Sequence, residues 1–301
     1  AVSGRDSIHG LFTISRLISG TMNVILSKLL IEQVICMLIP TERAVYSLSL
    51  PYCPVSKGGE RRSFVAAFGL EAFRLFGKKR MAVFFLFSML LGVALQISNG
   101  YANPFISSFG EIPEYAGTFA VEHTNMLISL SQMSEMLCIL LIPYVLKKFG
   151  IKRVMLLAMV AWVLRFLFFA VGNPGIPGVF FFVVSMLVYG VAFDFFNISG
   201  SLFVNENTSG EMRSSAQGLF MIMTNGIGAT VGTLSAQAVV NKFVPFEIKN
   251  AEQVVTNGNA IAEGWSHTWL IFAGYALAVA LAFWVLFRYK HNPNKMVDIK
   301  H

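Results

Sequence analysis

The stretch Gly178–Val204, GVFFFVVSMLVYGVAFDFFNISGSLFV, decides the fold. At about 1.5 Å per residue it is long enough, as a helix, to cross a hydrocarbon core of about 30 Å. One acid interrupts it: Asp194, within Tyr189-Gly190-Val191-Ala192-Phe193-Asp194-Phe195-Phe196-Asn197. A carboxylate in hydrocarbon is expensive, and such residues face a bundle interior or a water-filled path. Here the acid is flanked by aromatic faces and an amide, a combination that suits a solute carrying both a flat ring and hydroxyl groups. Asp194 therefore reads as part of a substrate or proton site, and the other helices as its housing.

The rest of the chain supplies that housing. It has 301 residues, 55% of them hydrophobic and 13% charged, with 28 Phe and 14 Met. The apolar residues come in runs of helix-spanning length, so the expected class is an all-α, multi-pass integral membrane protein. The net charge of +7 does not call for a nucleic-acid partner, and none is expected, because the charges gather in the loops. Cys36, Cys53 and Cys138 form neither a CxxC pair nor a zinc spacing. No cofactor or metal is expected. A cleavable signal pattern is not seen, and the opening at Ala1 rather than Met leads to the expectation of a fragment of a longer product.

Four regions follow along the chain. Residues 1–44 contain an apolar stretch broken by Arg16, Lys28 and Glu32, which fits either one transmembrane helix or an amphipathic surface helix. Residues 45–79 form a basic linker in which Phe64, Phe68, Phe73 and Phe76 give an apolar side to a surface helix. Residues 80–291 hold six spanning candidates, near 80–103, 119–146, 151–171, 178–204, 213–240 and 267–289. Residues 292–301 are the tail. Alternate connections carry sixteen Lys and Arg against two, which places both ends of the six-helix unit, and hence the C-terminus, in the cytoplasm. On the fifth candidate, Gly228-xxx-Gly232 permits close helix contact.

Three candidates each bring two polar groups, three residues apart and so on one helix face, to the middle of the bilayer. They are Gln96 with Asn99, Gln132 with Glu135, and Asp194 with Asn197, the last beside the aromatic pair Tyr189 and Phe193. Glu135 and Asp194 fall at similar depth. Burial disfavours the charged form of a carboxyl group, so an acid at this depth can gain and lose a proton near physiological pH, as a proton-coupled carrier requires. Both acids are therefore candidates for proton coupling. Alternatives stay open: the amides can glue helices by hydrogen bonds, and the acids can be neutral hydrogen-bonding partners. Arg165 reads as structural, either snorkelling outward or pairing with a carbonyl or an acid, and Glu122 and His123 as a solvated helix end, with a gate role as the alternative. Asn225 is ambiguous between facing the cavity and capping a neighbouring backbone.

Six long stretches carry a family resemblance: GLEAFRLFGKKRMAVFFLFSMLLGVALQISN, SLSQMSEMLCIL, GIKRVMLLAMVAWVLRFLFFAVG, YGVAFDFFNISGSLFVNE, RSSAQGLFMIMTNG and WLIFAGYALAVALAFWVLFRYKH. From about Val45 to His291 the chain resembles the C-terminal half of the bacterial nucleoside:proton symporters of the major facilitator superfamily. LKKFGIKR resembles that superfamily's cytoplasmic loop signature. The resemblance implies two six-helix halves with the solute held between them. It implies that Gln96, Asn99, Gln132, Glu135, Tyr189, Phe193 and Asp194 form the C-terminal half's nucleoside site, the rings facing the base and the amides pairing with its edges. The acids then take ribose hydroxyls or protons. It implies proton-coupled nucleoside uptake across the bacterial cytoplasmic (inner) membrane. Residues 5–44 do not match the family's N-terminal half, so the missing half is expected as a partner in a longer product. The competing readings are a non-transporting membrane fragment or scaffold and a membrane-embedded enzyme. Against the enzyme, HExxH, Walker A and GxSxG patterns are all lacking.

Overall fold

A computed structural model of the chain describes residues 70–245 and 258–287. The expected segments 1–44 and 292–301, and most of the linker before residue 70, lie outside the described residues. Among the described residues the structure is all-helical, with six helices long and apolar enough to cross a membrane. We label them α1 (Lys79–Ser108), α2 (Thr124–Phe149), α3 (Ile151–Val171), α4 (Val179–Asn207), α5 (Arg213–Phe243) and α6 (Gly258–Leu286). A 3₁₀ helix, Leu70–Gly77, precedes α1, with Ala72 and Leu75 turned inward and Phe73 exposed.

The boundaries depart from the sequence expectation in three places. Helix α1 continues through Pro104 to Ser108. That is tolerated in a membrane helix because neighbouring groups re-satisfy the freed carbonyl. Helix α2 starts at Thr124, after a short helical turn Phe119–Glu122 that ends at His123. Helix α6 begins at Gly258, nine residues before the expected start, which corrects the reading of 258–266 as loop. Glu263, Ser266 and His267 lower the hydropathy there, yet Ile261, Trp265 and Trp269 are buried at four-residue spacing along one stripe.

Helix α4 lies between α2 and α3, α3 also packs on α6, and α1 packs on α5 and α6. Gly150, with φ of 74°, closes α2 and opens α3, a conformation a side chain would strain. Lys147 and Lys148 sit in the last turn of α2, where cations suit the helix dipole. The α1–α5 seam is closed backbone to backbone. A Cβ on Gly228 would meet the Met89 carbonyl oxygen at 2.5 Å, and one on Gly232 would meet that of Val93 at 2.9 Å. A Cβ on Gly92 would overlap the Thr224 carbonyl oxygen. Opposite Gly92, residues Ile222–Gly228 wind as a π-helical turn within α5. Such turns inside α-helices are frequent at functional sites.

Two aromatic plugs cap the bundle. Towards the end of α1, Phe105 meets Phe109, Phe169, Phe182 and Trp269 at centroid distances of 5.3–5.5 Å. Towards its start, Phe84 lies 4.8 Å from Phe203 and 5.4 Å from Phe220. Aromatic pairs at these distances add about 0.5–1.5 kcal/mol each beyond simple burial. Between the plugs runs a belt of polar side chains.

Candidate substrate site

The belt is built from α1, α2, α3 and α4. Tyr189 on α4 donates its hydroxyl to Asn99 Oδ1 on α1 at 3.0 Å. One turn along α4, Phe193 stacks on the Tyr189 ring with centroids 5.8 Å apart and planes 4° from parallel. Trp162 of α3 meets Tyr189 edge-on at 5.8 Å. Asn99, Tyr189 and Phe193, three of the residues singled out in the sequence, are thus joined by direct contact. They present two parallel rings and an amide.

The acids come from the α2–α4 seam. Ser131 donates to Met186 Sδ at 3.0 Å, and Ser134 to the Leu187 carbonyl oxygen. Gly190 lies so close that a Cβ would stand 2.6 Å from the Ser134 backbone. That contact turns Ser131, Ser134 and Cys138 into α4 and leaves the neighbouring stripe, Gln132 and Glu135, on the open side. Asp194, one turn past Gly190, is 5% exposed, and its Oδ2 has no hydrogen-bond partner among the described residues. Glu135 is half-buried and feels the charges of Asp194 and Arg165, and Tyr189 lies in the same field. Both acids therefore belong to one electrostatic cluster.

The remaining expected residues are placed less tightly. Gln96 is half-buried at the α1–α5 seam, with its Cβ against Gly232. Gln132 is exposed and forms no hydrogen bond among the described residues. Asn225, exposed on the π turn, reaches Met221 Sδ at 3.7 Å. Arg165 does not snorkel: it is 3% exposed and donates to the carbonyl oxygen of Ser185, so of the two structural readings the inward pairing is the observed one. Its partners Ser98 and Ser185 were not singled out from the sequence. The signal that could have found them is the arginine itself, since a mid-span guanidinium needs acceptors on facing helices.

Leu91, Gly92, Leu95, Trp162, Phe193, Asn197 and Thr224 line a recess with about 10 Å³ of water-sized space. That is room for about one water. Asn99 and Gln132 are exposed and Glu135 and Phe193 half-buried on the open side of the belt. Polar groups at this depth cannot face lipid cheaply, so that side needs water or further protein over it. Among the described residues no three His, Cys, Asp or Glu side chains gather as a metal site would require.

Known proteins resemble this chain in sequence and in fold. The chain is 47% identical over 258 residues to a xanthosine permease of Escherichia coli K12, covering 86% of this chain and 58% of that one. It is 47% identical over 247 residues to the nucleoside permease NupG of the same organism, covering 82% and 56%. The crystal structure of the nucleoside transporter NupG superposes with a TM-score of 0.66 at 46% identity, over 82% of this chain and 57% of that one. An aspartate-to-alanine mutant of NupG superposes at 0.69 and 45%, over 81% and 57%. The chain thus spans just over half the length of the relatives it matches. The family described as "Nucleoside H+ symporter" matches residues 10–292, taking in much of the opening segment set apart above. With that match, and with six helices among the described residues long and apolar enough to cross a membrane, the chain is a multi-pass membrane protein that belongs to the nucleoside H+ symporter family.

Proposed function

We propose that this chain forms one wall of the substrate site in a proton-coupled nucleoside carrier of the bacterial cytoplasmic membrane, its C-terminus on the cytoplasmic side. The observation that carries the reading is the belt itself: two parallel rings, Tyr189 and Phe193, beside Asn99 and two acids that lack fixed partners. A base has a flat face and hydrogen-bonding edges, and a ribose has hydroxyls. The rings take the face; Gln96, Asn99 and Gln132 take the edges; Glu135 and Asp194 take hydroxyls or a proton. A buried oxygen without a partner, such as Asp194 Oδ2, is costly to leave unmade, by about 1–3 kcal/mol. A proton or a sugar hydroxyl satisfies it in turn. The names of the relatives, permeases for nucleosides and for xanthosine, point the same way. The orientation rests on the Lys and Arg bias of the loops.

Moving one charge through 100 mV is worth about 2.3 kcal/mol, enough to concentrate a neutral solute several tens-fold. The test is uptake of labelled uridine and adenosine by cells without nucleoside carriers of their own that express the protein as its gene encodes it. Accumulation above the external concentration is expected, and a protonophore should collapse it. Accumulation that survives the protonophore would refute the coupling. Normal insertion without uptake of either nucleoside would refute the substrate class.

A further inference from the structure

Arg165 carries a permanent charge within α3, and its contacts lie on the belt and on the Phe169 ring of the neighbouring plug. Its Nε donates to Ser98 Oγ of α1 at 2.8 Å, and its Nη1 to the Ser185 carbonyl oxygen of α4 at 2.7 Å. Ser185 Oγ returns a hydrogen bond to the Arg165 carbonyl oxygen at 3.1 Å. The guanidinium carbon lies 5.0 Å from the Phe169 ring and 4.4 Å from the Tyr189 ring. With Met186 Sδ at 4.0 Å from Nη1, these partners are a hydroxyl, a carbonyl, a thioether and two ring faces, none of them an acid. Glu135 nevertheless feels its charge from across the belt.

A role confined to filling space fits poorly. An arginine at the centre of a membrane helix costs about 2.5–3.5 kcal/mol even on the most lenient scale. A leucine or methionine would fill the volume without that cost. What an apolar side chain cannot do is hold a ring by its face and supply a fixed positive field. The ring it holds is Tyr189, which bonds Asn99 and stacks on Phe193. We propose that Arg165 is a positioning residue: through the flat face of its guanidinium it fixes the Tyr189 ring for the solute, and through its charge it offsets Glu135 of α2. This inference rests on the nucleoside-carrier reading above.

Lysine separates the two roles, because it keeps the charge but lacks the planar, forked geometry. Uptake of labelled uridine and adenosine is measured for Arg165→Lys and Arg165→Gln, in the protein as its gene encodes it, beside the amount of protein in the membrane. Arg165→Lys should raise KM about tenfold, the scale of a lost charge-assisted contact, and leave the pH dependence of uptake unchanged. Arg165→Gln should raise KM similarly and displace the pH dependence. A wild-type KM in Arg165→Lys, or a wild-type pH profile in Arg165→Gln, would overturn the proposal. If neither variant inserts, Ser98→Ala decides. It removes one anchor of the guanidinium and should raise KM about threefold; an unchanged KM there would also overturn it. If the unaltered protein takes up no nucleoside, the carrier reading fails. If it does and these variants match it, only the role of Arg165 fails.

Discussion

Helices α2 and α3 hold charge in the membrane in opposite ways. Helix α3 is enclosed, with 56% of its most apolar window buried, and its arginine is anchored on α1, α4 and two rings. Helix α2 runs at the margin, with 28% of its window buried, and its glutamate has no hydrogen bond among the described residues. Facing α2, Asp194 is enclosed yet leaves Oδ2 unpartnered. An anchored charge is a fixed part of the scaffold. A charge without anchors is one whose partner comes and goes. The bundle therefore contrasts a sealed side, the α1–α5 seam closed backbone to backbone, with a working seam, α2 with α4, that carries the acids.

The strongest way to break that division is to disturb the sealed side. A Cβ on Gly92 would overlap the Thr224 carbonyl oxygen and stand 2.8 Å from its carbon and 2.9 Å from its Cα. Those are backbone atoms on the π turn, so the neighbour cannot rotate away. Gly92→Ala should cost at least about 3 kcal/mol and lower the melting temperature by about 6–12 °C. Gly274→Ala, where nothing lies within 4 Å, is the control and should change stability by less than about 0.5 kcal/mol. Equal melting temperatures for the two variants would mean that the α1–α5 seam is not sealed.

Next in size is the loss of the proton site on the working seam. Asp194→Asn keeps the shape of the side chain and removes its proton exchange. Accumulation should fall several tens-fold, to equilibration, because the drive of about 2.3 kcal/mol per 100 mV is lost. Exchange of labelled for unlabelled nucleoside should survive. Fully proton-driven accumulation in Asp194→Asn would leave Glu135 as the coupling acid.

What could be read in advance follows from what a one-dimensional pattern encodes. Apolar runs and loop charges delimit helices, so the six spans, Gly228-xxx-Gly232 and the pairs at i, i+3 were legible. Contacts between helices were legible only by inference. Asn99 and Tyr189 were expected in one site and are bonded, whereas Gln132 lies exposed without a partner. The π turn was invisible because Ile222–Gly228 reads as ordinary helix, and its register answers to Gly92 on another helix. Ser98 and Ser185 were invisible for another reason. Serines in membrane helices commonly bond their own backbone, as Ser88 does to Phe84 at 2.8 Å, so a serine marks no contact until its neighbour is known. Arg165 was noticed but given no role in the site, because sequence shows its depth and not its direction.

The finest test asks what holds the working seam shut. Ser134 donates to the Leu187 carbonyl oxygen, and Gly190 brings the two backbones together at the same level. Hydrogen bonds between membrane helices average about 0.6 kcal/mol, because the separated helices find other partners. If close approach at Gly190 does most of the work, Ser134→Ala should lower the melting temperature by only about 1–3 °C and leave the KM for nucleoside unchanged. A loss as large as that of Gly92→Ala would reverse the assignment. The hydroxyl would then be the clasp, and the glycine would merely leave it room. The smaller outcome is expected because a Cβ at Gly190 meets the Ser134 backbone carbon and oxygen at 2.6 Å as well as its hydroxyl. Deleting the hydroxyl leaves the backbone approach of α2 and α4 at this level in place.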